Sequence, residues 1–198
     1  MSPRQIPPDQ LLGGIARLVV FNPAGFDAIE ASTAGFLASL APLLAFTLVG
    51  AGAEVAVDGW RMGASSFLQM LCVLLGQPVI SHFYARLWGR EAHWLRYATA
   101  MNWCQLALPV VGLLLMLLTV VADGGLGDGG GLSIVFGLLL VYSVFLNWFL
   151  AWRGLALGPW RGLGFLIVST LTLALLLSLP IGLRLAEMPH GTAAGVSL

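Results

Sequence analysis

The sequence predicts an all-α, polytopic membrane protein: a bundle of five transmembrane helices preceded by short amphipathic helices at the interface. Three observations predict it. Charged residues make up 9% of the 198 residues and hydrophobic ones 59%, whereas a soluble domain carries about 25% charge. A chain this poor in charge cannot cover a water-exposed surface. The apolar residues fall into five runs, each near the roughly 20 residues that a bilayer core requires. Threading those runs through a membrane leaves nearly all the arginine on one side.

The elements follow in order. Residues 1–9 are Pro-rich and expected to be loose. In residues 10–21 the apolar Leu11, Leu12, Ile15, Leu18 and Val19 recur at helical spacing with Arg17 opposite. This stretch is too short to span, and its pattern suits a helix lying on the membrane. Asn22-Pro23 ends it, and residues 25–31 form a second short helix carrying Asp27 and Glu30. The five spans are residues 32–53, 64–85, 98–122, 132–152 and 163–185. Each is too long and too uniformly apolar for a barrel strand, so helices are required. Residues 1–31 thus form a tail with interfacial helices, 32–185 the transmembrane domain and 186–198 a short tail. The Gly-rich loop 123–131 is a solvated linker by composition, and its two Asp are too few for a calcium loop.

Orientation comes from arginine. Seven residues (Arg4, Arg17, Arg86, Arg90, Arg96, Arg153, Arg161) flank one side, and two (Arg61, Arg184) the other. That places the N-terminus in the cytoplasm and the C-terminus outside. Tryptophan agrees, with Trp60 alone on the outer side and Trp88, Trp94, Trp103, Trp148, Trp152 and Trp160 on the inner. All nine basic residues are arginine, which suits a GC-rich bacterial genome and hence a bacterial inner membrane. The first apolar run begins too far in for a secretory signal, so the chain is read as uncleaved.

In lipid, small residues mark where helices approach closely. Span one carries Ala31, Gly35 and Ser39 on one line; span three carries Ala98, Asn102, Gln105, Pro109 and Gly112; span four carries Gly137, Ser143 and Asn147. Pro42, Pro78, Pro109 and Pro180 each free a carbonyl and favour a kink.

The candidate site is a polar cluster toward the cytoplasmic ends of spans two, three and four: Gln77, Ser81, His82, Asn102, Gln105 and Asn147. It reads either as a polar pocket with His82 as a proton acceptor or as hydrogen-bond glue between helices, worth about 0.6 kcal/mol per contact. Glue is favoured, because amides do not titrate and the spans hold no carboxylate to complete a proton relay. Cys72 and Cys104 lack metal spacing and read as apolar filler. Zero net charge offers no field for nucleic acid. No catalytic, zinc or phosphate-loop motif occurs, so no cofactor is expected.

The segments PAGFDAIEASTAGFLASLAPLLAF, YATAMNWCQLALP and VYSVFLNWFLAWRGLAL, with the five-span architecture, resemble the bacterial branch of the Yip family of small membrane proteins. That resemblance implies no enzyme, no cofactor and no catalytic residue. Eukaryotic members are implicated in trafficking through small GTPases, but their acidic, Gly-Pro-containing signature is missing here. The expected function is therefore non-enzymatic organisation or assembly of membrane components. Its partners are the lipid bilayer and other membrane proteins or a second copy. The alternative is a small-solute transporter or channel gated by the polar cluster. A lipid-acting enzyme with His82 as base lacks the nucleophile or metal it would need.

Overall fold

The computed structural model describes residues 7–122 and 130–186. Among them every regular element is helical. Helix α1 (Pro8–Val19) opens on a proline at its first position, where the missing N–H costs nothing and the fixed φ already fits the turn. The expected loose segment 1–9 therefore ends inside a helix, and residues 1–6 lie outside the described residues. The second short helix, expected over 25–31, is a 3-10 turn over Pro23–Ala28. Pro23 starts it, the Asn22 side chain accepts the Ala24 N–H at 3.0 Å, and Ile29 returns the chain to extended backbone.

Five long helices follow: α2 (Thr33–Asp58), α3 (Trp60–Leu87), α4 (Glu91–Ala122), α5 (Gly130–Gly154) and α6 (Pro159–Ala186). Ser32 caps α2 by accepting the Gly35 N–H at 2.9 Å, the side-chain oxygen replacing a missing helical acceptor. Within the described residues, four helices are long and apolar enough to cross a membrane: Thr33–Asp58, Trp60–Leu87, Glu91–Leu118 and Ser133–Gly154. Of α6, Pro159–Leu175 is a shorter apolar stretch. The ten-residue connection expected between the first two spans shrinks to Gly59, whose φ of 88° reverses the chain between α2 and α3. Hydropathy ends a span at Glu54, but nothing ends the helix there, and its hydrogen bonds continue to Asp58. The linker expected at 123–131 lies outside the described residues except at Gly130 and Gly131, which already belong to α5. The tail 187–198 also lies outside them.

Three helices finish in the same way at one end of the bundle. The residue after the cap turns left-handed, at Phe21 (φ 61°), Gly89 (φ 64°) and Ala156 (φ 50°). The next N–H then reaches back to a carbonyl five residues earlier: Asn22 to Arg17 at 2.8 Å, Arg90 to Ala85 at 2.7 Å, Leu157 to Trp152 at 3.0 Å. This closure satisfies carbonyls that a helix C-terminus leaves free. Glycine adopts it without strain, whereas Phe21 and Ala156 do not.

The core sits at this basal end. Helix α4 is the axle, with α1, α2, α3 and α5 against it, and α6 closes the ring against α3 and α5. Tyr97, Ala98, Thr99, Ala100, Met101 and Asn102 are consecutive and all buried, so this stretch of α4 is enclosed on every face. Leu18, Phe26, Leu150, Leu155, Leu157 and Phe165 fill the space around it. The opposite half bares its large apolar side chains, among them Val57, Leu114, Leu118, Val121 and Ile134.

Candidate functional site

The six residues singled out from the sequence do not form one pocket. Asn102 and Ser81 enter two separate sets of hydrogen bonds, one tying α4 to α2 and the other tying α4 to α3. Buried Asn102 donates its amide to the Ser39 hydroxyl at 2.9 Å, and Ser39 donates onward to the Phe36 carbonyl at 2.7 Å. The Phe36 ring tilts against Trp94, centroids 5.5 Å apart. The Trp94 indole N–H donates to the Ser81 hydroxyl at 3.0 Å, and Ser81 donates to the Pro78 carbonyl at 2.9 Å. Gln77 stands near buried Tyr97. Each of these hydroxyl and indole donors ends on a protein acceptor, which is how polar groups are held in a dry interior.

His82 stands outside this layer. It is exposed, and its ring meets Trp94 edge-on at 4.7 Å. Gln105 and Asn147 lie elsewhere again. Asn147 donates to the Ser143 carbonyl of its own helix at 2.8 Å. Half-buried Gln105 makes no hydrogen bond among the described residues. Sequence reading missed Ser39, Trp94 and Tyr97 as partners, although Ser39 occupies the small-residue line of its span. It also missed Thr99, whose buried hydroxyl has no partner among the described residues. A buried unpaired hydroxyl costs about 1–3 kcal/mol. Gly137, expected on a packing face, borders open space.

Two hollows open between helices in the other half, and Gln105 lines both. One, of about 250 Å³, lies among α2, α3 and α4 with Thr47, Glu54 and Ser66 on its walls. The other, a groove of about 780 Å³ between α4 and α5, is walled by apolar side chains and has Ser143 and Asn147 at one end. Its α4 wall stays low because Gly112 stands opposite Leu139, where a Cβ would come within 3.0 Å of a Leu139 methyl. The one ion pair found among the described residues, Arg86 Nε to Glu91 Oε1 at 3.5 Å, bridges the α3–α4 turn in the open, where such pairs contribute about 0–1 kcal/mol. No three His, Cys, Asp or Glu among the described residues stand together as metal ligands would. In comparisons with known proteins, no family model, curated protein or solved structure matches the chain.

Proposed function

We propose that the chain is a non-enzymatic integral membrane protein that organises or assembles other membrane components. In this reading it crosses the bacterial inner membrane five times, with α6 as the fifth span, the N-terminus in the cytoplasm and the C-terminus outside. The basal end, with Arg17, Arg86, Arg90, Arg96, Arg153 and Arg161, is then the cytoplasmic face. Helix α1 lies along that face, with Ile15 and Leu18 turned into the bundle. The resemblance to the Yip family points the same way.

The observation that carries the reading is the groove between α4 and α5. It opens sideways and is mostly apolar, yet it holds the unpaired Gln105 amide beside Asn147 and Ser143. Lipid tails cannot satisfy an amide, whereas a polar residue on a neighbouring transmembrane helix can. A photoreactive benzophenone side chain placed at Leu113, which lines the groove, is expected to capture a protein and give one adduct of discrete mass in native membranes. The same probe at equally exposed Val110, outside the groove, is expected to capture only lipid. Equal capture at both positions, or lipid alone at both, contradicts the reading.

Passage of a small solute is the second reading, and the cavity holding Glu54, Thr47 and Ser66 favours it. Against it, the Asn102–Ser39 bond and buried Met101 and Cys104 occupy α4 between Gln105 and the cytoplasmic face.

A further inference from the structure

A trough runs along the outer face of α5, built from two adjoining hollows of about 270 and 450 Å³ that share Phe21 and Phe145. It extends from Arg153 to Leu138. Fifteen residues of helix make about 22 Å, the depth of one leaflet with its headgroup layer. The chemistry changes along it in the order a lipid does. Leu138, Val141 and Phe145 line the far end, Trp148 and Trp152 the middle, and Arg153 the basal end.

The basal end is built from stacked rings. Trp148 donates its indole N–H to the Pro159 carbonyl at 2.9 Å and stacks on Trp152 with centroids 5.6 Å apart. The Arg153 guanidinium lies 4.4 Å over the Trp152 ring. No carboxylate among the described residues pairs with Arg153, so its fork of donors is free for an anion and matches phosphate. The other wall is Phe21. Left-handed backbone there would suit glycine, and a phenylalanine holds it only under strain. Its ring meets Tyr142 and Phe149 edge-on, both at 5.7 Å, and still leaves 40% of the residue exposed toward the trough. The Tyr142 hydroxyl donates to the Val19 carbonyl at 2.7 Å, fixing the end of α1 against α5.

We propose that this trough binds one anionic phospholipid of the cytoplasmic leaflet, with its phosphate on Arg153 and an acyl chain along Phe21, Phe145 and Val141. The inference rests on the membrane reading above but not on the α4–α5 groove. A zwitterionic lipid offers the same phosphate together with an ammonium that Arg153 repels, so selectivity follows net headgroup charge.

The test is native mass spectrometry of the detergent-extracted full chain with phosphatidylglycerol or phosphatidylcholine of identical acyl chains. One phosphatidylglycerol is expected to be retained, with about a tenfold preference, the worth of a charge-assisted contact. Arg153→Gln is expected to reduce the preference to within about twofold, and Arg96→Gln to leave it intact. Val141→Trp, at an exposed position, fills the trough and should lose both lipids. Inorganic phosphate should not displace the bound lipid. Equal retention of the two lipids, a full preference in Arg153→Gln, or displacement by phosphate overturns the proposal. Fractionation before extraction separates the failures: a chain found soluble without detergent contradicts the membrane reading. A membrane-bound chain without preference contradicts the lipid site alone.

Discussion

Truncation of Phe165 to alanine is expected to cost about 3–5 kcal/mol, the range for emptying a large aromatic site in a packed core. Phe165 is 1% exposed and is where α6 meets the rest of the bundle. Its ring lies edge-on to Tyr97 at 5.8 Å and to Tyr84 at 6.1 Å, and tilts against Trp88 at 6.3 Å. These partners come from α4, from α3 and from the residue capping α3. Each such pair contributes about 0.5–1.5 kcal/mol beyond its buried area. Leu155, Leu157 and Ala98 of the same core are themselves buried, so little is free to fill the void. In a bilayer the loss is one of dispersion contact more than of transfer from water. Denaturant titration in micelles reads the change, and a loss below about 1 kcal/mol would place α6 elsewhere.

The second large effect is expected at Gly63, where alanine should force α2 and α3 apart at a cost of about 1–3 kcal/mol. A Cβ at Gly63 would collide with a Val55 methyl and lie 2.8 Å from the Ala51 carbonyl oxygen and 2.9 Å from the Val55 amide nitrogen. Two of these three atoms are backbone, so no side-chain rotation relieves the contact. Gly50 and Gly52 on α2 supply the control, since a Cβ at either meets nothing within 4 Å. Alanine there is expected to be neutral or to stabilise the helix by up to about 1 kcal/mol. The comparison is made as unfolding midpoints of the three variants in one detergent. A Gly63→Ala protein as stable as Gly50→Ala would contradict the close α2–α3 contact.

Long apolar runs announce helices in the sequence. They announce helix ends poorly, because hydropathy measures where lipid is tolerated and hydrogen bonding continues past that point. That is why α2 and α3 grow through Glu54, Asp58 and Arg61 until Gly59 alone separates them. The direction in which each polar residue points was not legible. Asn102 and Gln105 are three residues apart, which rotates them by roughly 60° around a helix of 3.6 residues per turn. That rotation sends Asn102 inward to Ser39 and leaves Gln105 on the side cavities. His82 follows Ser81 directly, yet it stays exposed and touches the layer only through the Trp94 ring. Thr99 carried no signal, since nothing local distinguishes a satisfied threonine from an orphaned one. The left-handed residues at Phe21 and Ala156 were equally silent, because turn chemistry leads one to expect glycine there.

Whether the polar layer at the basal end is dry decides between an organising protein and a conduit, and the chain carries its own probe. Cys104 is 1% exposed and two residues from Asn102, and Cys72→Ala leaves it the sole thiol. With the protein folded in bilayers, a small water-soluble maleimide is expected to leave Cys104 unmodified and to label it fully once the protein is denatured. Labelling of the folded protein at the rate of the denatured one would mean that water reaches the layer, and the sealed bundle would be wrong.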